Sequence, residues 1–375
     1  MDRAQQPSDE QARTAPGTGR NRPALITTTA AAKRLAVLLV SLAAITALAI
    51  NHATNMPGRS HTGPIDNPTP ETEALADQLR AHVEVLATHH TGRSTFNPLA
   101  YAAAAGYLKD QLTRMGLVPE DEPFETNRDA SACLNIYADL AGATRPDEII
   151  VIGAHYDALM DEPGADDNAS GTAATLELAR ALTNAQADRP LDRTVRFALF
   201  ANEEPPYFGT DDMGSHRHAL AATQRGETVT AMLSLEMLGY YDDTPGSQHY
   251  PPPFDLLYPD RGNFVAFISN LASSSLTRRT IRTFRENARF PSAGAVLPAS
   301  IEGVDYSDQR SFWLHGIPAV MITDTAHNRN PNYHTPHDTP DTLDYHRMAL
   351  VTQGLEHVVV DLATFEGSGA ENPSR

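Results

Sequence analysis

At 375 residues with 41% hydrophobic side chains, the chain is long enough for one large or two ordinary domains and apolar enough to bury a core. Its formal net charge is −18, although six basic residues outnumber three acidic ones among the first 56. A body that acidic repels phosphate backbones, which excludes nucleic acid as an expected partner, and it suits cations, metal ions among them. Cys133 is the only cysteine, which rules out an internal disulfide and any cysteine-rich zinc module.

Residues 1–32 are rich in Pro, Gly, Thr and Gln without an apolar period and read as a disordered cytoplasmic tail. Lys33 and Arg34 then precede the uncharged run LAVLLVSLAAITALAI, so residues 33–50 read as a transmembrane signal anchor or a signal peptide cut after Ala47-Leu48-Ala49. The basic residues lie on its N-terminal side, which keeps the tail inside and exports the rest, and the length of the preceding segment favours the anchor. The expected location is the cell membrane, single-pass with an extracytoplasmic domain, or the exterior if the segment is cleaved. Residues 51–69 read as a polar linker, 70–366 as the functional domain and 367–375 as a disordered tail.

From Pro70 the pattern alternates. Helical apolar spacing is read over 71–89, 98–115, 171–183, 215–223, 274–287 and 344–365, with short strands at 132–140, 148–154, 194–200, 229–235, 264–268 and 319–323. Near-continuous apolar strands between helices predict an α/β domain with a mostly parallel central sheet and helices on both faces. The Pro-rich stretch 240–259 predicts a long surface loop bordering a cleft.

Chemistry-bearing residues fall where such a sheet places its sites, at the carboxyl ends of strands. GAHYD ends one strand, and the i, i+2 spacing puts His155 and Asp157 on one face. In GADDNASG, one acid can bridge two cations while Gly164 and Gly171 permit close backbone approach. ANEEP sets Glu203 and Glu204 side by side so that they diverge toward different atoms. Glu236 interrupts the apolar run SLEMLGY and demands a partner, for which a metal is economical. NYHTPHDT supplies His334 and a second histidine, His337, read as solvated. Imidazole and carboxylate donors of this kind suit adjacent Zn²⁺ ions.

Taken in order, these strings resemble the zinc aminopeptidases of peptidase family M28 over about residues 70–365. The resemblance implies a three-layer zinc aminopeptidase (phosphorylase/hydrolase-like) fold and two Zn²⁺ per chain. His155 and Glu236 then hold one metal, Glu204 and His334 the other, and Asp167 bridges them. Glu203 is the general base, Asp157 supports a ligand, and Tyr333 donates to the oxyanion. A cis peptide bond is implied at Asp167–Asn168. Two departures stand out: Glu236 replaces the commoner Asp, and Gln309 replaces a frequent His. The implied reaction is removal of N-terminal residues from peptides with a free N-terminus. Alternatives of related fold are a single-zinc glutaminyl cyclase, a carboxypeptidase using Arg261, Arg278, Arg279 or Arg310, and a non-catalytic binding ectodomain. Oligomeric state is left open.

Overall fold

The computed structural model describes residues 28–364, in two compact units that divide between Ile50 and Asn51. Of the tail read over 1–32, residues 1–27 lie outside the described residues, as does the tail 367–375, while 28–32 are helical rather than disordered because the Ala-rich run before Lys33 continues the apolar helix. Helix α1, Thr28–Thr54, is long and apolar enough to cross a membrane, and its leucines stand exposed.

The second unit is built on one eight-stranded sheet in the order β1-β2-β4-β3-β5-β8-β6-β7. Its strands are β1 (Glu120–Glu125), β2 (Ala132–Leu140), β3 (Arg145–His155), β4 (Arg193–Phe200), β5 (Thr228–Glu236), β6 (Val265–Ser269), β7 (Ser292–Val296) and β8 (Ala319–Thr323). The four central strands β4, β3, β5 and β8 are parallel. Antiparallel pairing appears at the flanks, where β1 meets β2, β2 meets β4 and β6 meets β8, so the sheet is mixed outside its centre.

The helices are α2 (Pro70–Glu84), α3 (Pro98–Arg114), α4 (Gly171–Ala185), α5 (Gly214–Gln224), α6 (Ser274–Asn287), α7 (Gln309–Leu314) and α8 (Tyr345–Thr364). Alternation along the buried strands divides the core. On β3, Ile150 and Ile152 join the large cluster that includes residues of α2, α4 and α8. Ile149 and Val151 join a smaller one with Ala219 of α5 and Phe312 of α7. Both faces are therefore covered, and that explains why EIIVIGA carries no polar alternation.

The stretch read as a linker, 51–69, is held along this unit. Met56 is buried, Arg285 donates to the carbonyls of Met56 and Pro57 (3.1 Å each), and the Asp66 carboxylate pairs with Arg289. Its polar composition hid one apolar anchor. The segment 240–264 is an irregular excursion with one short 3₁₀ helix, Phe254–Leu256, a few turns and an isolated bridge between Asp242 and Gly262, as its prolines require.

Candidate metal centre

Strand ends set the positions of the site. His155 is the last residue of β3 and Glu236 the last of β5, while Glu203 and Glu204 follow the end of β4. The turn Ala165–Ser170 brings Asp167 across to them, and the loop after β8 brings His334. Five chain segments converge because the parallel strands β4, β3, β5 and β8 all end on one edge of the sheet.

Two donor triads result, His155/Asp167/Glu236 and Asp167/Glu204/His334, each with its donor atoms within 4.8 Å of one another. Asp167 belongs to both: its Oδ1 lies 3.3 Å from His155 Nε2 and its Oδ2 lies 3.0 Å from His334 Nε2. Glu236 Oε2 is 3.3 Å from His155 Nε2, and Glu204 Oε2 is 3.1 Å from His334 Nε2. All are buried except the half-buried His334. Among the described residues, neither nitrogen of His155 nor Glu204 Oε1 makes a hydrogen bond despite burial. Buried polar atoms left without partners cost free energy, and nitrogen and carboxylate donors clustered at this spacing fit zinc. The residues present fit the implied metals.

Glu203 stands apart from both triads. Its Oε2 approaches His155 Nε2 at 3.9 Å, and its neighbour Glu204 turns instead to His334. Burial pushes the Glu203 carboxyl well above its usual range; His155 opposes this, while Glu236, Glu204 and Asp308 add to it. Burial likewise raises Glu204, to about 8, with Asp167 contributing. Asp167 moves the other way, because its contacts to His155 and His334 outweigh the burial that would raise it. Burial alone would lower His334, but Asp167 and Glu204 hold it up at about 11.

Asp157 accepts from the backbone N–H groups of both Glu203 and Glu204 at 3.1 Å, and its Oδ1 also lies 3.4 Å from His155 Nδ1. Tyr333 stacks on His334 with ring centroids 3.8 Å apart. Burial, then Asp167 and Glu204, push its hydroxyl pKa up, so it stays a proton donor. The exposed His337 does not join the site.

The Asp167–Asn168 peptide bond is cis. Gly171 is fixed by packing, since a Cβ there would meet Leu235 O at 2.2 Å. Three non-glycine residues at or beside donors, Asn202, Met237 and His334, have φ near +50 to +57, the left-handed region that costs a side-chain-bearing residue energy.

Several supporting residues carried little sequence signal. The Asn168 side chain donates to Glu236 Oε2 (3.2 Å) and Leu235 O (2.8 Å) and accepts from the N–H groups of Gly171 and Met237 at 3.0 Å. Asp338 accepts from Asp166 N (2.9 Å) and Asp167 N (3.0 Å), and Ser307 donates to Glu236 Oε2 at 2.6 Å. Gln309, where a histidine was the alternative, is buried against Val304 O rather than facing substrate space. Beside Glu236 and Tyr333 opens a cavity walled mainly by apolar groups, including Tyr250, Phe254, Phe264, Ala293 and Met321.

Known proteins share the chain's sequence pattern and fold. The family described as Peptidase family M28 matches residues 135–359. The chain is 39% identical over 300 residues to the uncharacterized protein YfbL of Escherichia coli (strain K12), covering 77% of this chain and 88% of that one. It is 28% identical to the probable aminopeptidase YDR415C of Saccharomyces cerevisiae over 62% of this chain, and spans 58% of that protein. The LapA aminopeptidase of Legionella pneumophila shares the fold, with a TM-score of 0.62 at 19% identity over 82% of this chain and 78% of that one.

Proposed function

The chain belongs to peptidase family M28 and is a hydrolase, and from that premise we propose that it is a dinuclear zinc aminopeptidase. The observation that carries the reading is Asp167, whose two carboxylate oxygens face two different donor sets. His155 and Glu236 would hold one zinc, Glu204 and His334 the other, and Asp167 both. Bound there, the ions polarise a peptide carbonyl and make water acidic enough to attack at neutral pH. Glu203 acts as general base, taking the proton of the attacking water and passing it to the leaving amine. No hydrogen bond among the described residues ties up its carboxylate, while Asp157 holds its backbone still. Tyr333 donates to the oxyanion.

The cavity beside Glu236 takes the side chain of the residue to be removed, and its apolar walls favour large hydrophobic residues. No Lys or Arg lines it. Arg310 pairs with Asp305 (2.7 Å), Arg279 with Asp361 (2.8 Å), Arg261 donates to Asp243 O and Arg278 to Asn55 O, so none serves a substrate carboxylate. This supports aminopeptidase over carboxypeptidase. The reading extends to place: α1 acts as an anchor, or is cleaved to release the enzyme, and the catalytic body begins near Asn55.

Aminoacyl-anilides with free and blocked N-termini test the assignment. Chelator-sensitive release from free leucyl or phenylalanyl substrates alone is expected, and equal turnover of blocked substrates overturns it. Cyclisation of an N-terminal glutaminyl peptide with one zinc bound would point to the cyclase reading instead. Glu203→Gln is expected to retain both zincs by elemental analysis while losing about 10²–10⁴ in kcat; near-normal turnover removes Glu203 from its role.

A further inference from the structure

Arg93 is fully buried in the loop between α2 and α3, with no carboxylate in ion-pair contact among the described residues. Its guanidinium spends its donors on main-chain carbonyls instead. Nε donates to Tyr156 O (2.6 Å), Nη1 to Pro163 O (2.5 Å) and Leu86 O (3.3 Å), and Nη2 to Gly164 O (2.6 Å). Tyr156 sits between His155 and Asp157, and Gly164 immediately precedes the turn that delivers Asp167. One planar group therefore joins two of the three segments that supply the first donor triad. The strap continues on either side, with Ala158 N donating to Arg93 O (3.1 Å), Gly92 N to Glu162 O (3.1 Å) and Ser94 Oγ to Met160 O (3.1 Å). Gly164 leaves room for it: at φ +56 its missing Cβ would stand 3.0 Å from Arg93 Nη2 and 2.3 Å from Asp167 O.

We propose that Arg93 is a positioning residue for the metal centre, fixing the gap between the His155 strand end and the Asp167 turn before any metal arrives. The inference rests on the dinuclear reading but concerns a residue outside both triads. A fixed positive charge near Asp157, Asp338, Asp167 and Glu204 also offsets part of their mutual repulsion in the empty site. Only arginine can do this, because its fork reaches carbonyls on three separate segments, whereas a lysine ammonium is a point donor.

The test is zinc affinity, measured on metal-free protein by competition with a chromophoric chelator, with Co²⁺ absorption as a readout of ligand geometry. Arg93→Met and Arg93→Lys are each expected to weaken zinc binding by about 10–100-fold, the range seen when groups supporting ligands are lost, and to alter the Co²⁺ spectrum. Ethylguanidinium added to Arg93→Ala is expected to restore much of the affinity. A control, His82→Ala, breaks the buried His82–Glu177–Tyr107 network away from the donor triads; it is expected to lower the melting temperature and leave affinity unchanged. Wild-type zinc affinity in a cooperatively folded Arg93→Lys or Arg93→Met protein overturns the proposal. So does loss of affinity no larger than the His82→Ala control shows at the same drop in melting temperature. Failure of the wild-type protein itself to bind zinc overturns the metal reading, a distinct result.

Discussion

Asp157 does its work through two backbone amides: by accepting from Glu203 N and Glu204 N together, it fixes where these two glutamates leave the chain. Asp157→Asn replaces one acceptor with an N–H that faces another N–H. The expected result is a fall of about 10–100-fold in kcat/KM with zinc content retained, measured by steady-state kinetics and elemental analysis; unchanged kinetics would show the fork to be dispensable. The candidate donors were legible in the sequence because so few residue types serve a metal and because His155 and Glu236 each close a β-rich run, with Glu204 just past another. The residues holding them were not. Asn168 and Asp338 lie inside the quoted strings GADDNASG and NYHTPHDT, yet their partners are mostly backbone groups, which leave no trace in side-chain chemistry. Arg93, more than sixty residues before Tyr156, carries no local signal at all.

At the level of elements, the central parallel strands declared themselves by their unbroken apolar runs, while two edge strands did not. β1 reads EDEPFE, acidic and proline-bearing, as suits an exposed edge, and β7 reads SAGAV, too small to show β-propensity. β1 is pinned by Glu122, which meets His218 Nδ1 (2.9 Å), Asn135 Nδ2 (3.0 Å) and Arg225 Nη1 (3.2 Å). Burial would raise this carboxyl, but His218, Asn135 and Arg225 overcome it and hold the pKa at about 2, below its ordinary 4.5. A depressed folded-state pKa gives stability that is complete above pH 4.5 and is lost as pH falls toward 2. Glu122→Gln should therefore lower the melting temperature at pH 7 and flatten its decline between pH 4.5 and 2; an unaltered acid limb in a pH series of thermal melts would refute the link. On β7, Ala293 faces the cavity, and Ala293→Trp should fill it. We expect at least about a tenfold loss on phenylalanyl-anilide with alanyl-anilide largely spared, and equal losses on both would dissociate the cavity from selectivity.

Across the whole molecule, the packing of 51–69 was the feature that composition concealed, because one buried side chain, Met56, and a few bound carbonyls suffice to hold a polar stretch. Two truncations separate anchor from body. Removal of residues 1–54 should yield a soluble enzyme with full activity, whereas removal through Asp66 should also lower the melting temperature by several degrees, since each kcal/mol costs about 2–4 °C or less at this size. Equal melting temperatures for the two would show Met56 and its neighbours to be passive. The remaining lesson lies in where the cavity gets its walls. Glu236 comes from the end of β5, but Tyr250, Pro251, Phe254 and Tyr258 come from the irregular excursion between β5 and β6. Insertion, deletion or exchange within that excursion leaves the sheet register intact, so natural variants of this scaffold can acquire new diets by rewriting one loop while inheriting the hydrolytic engine unchanged.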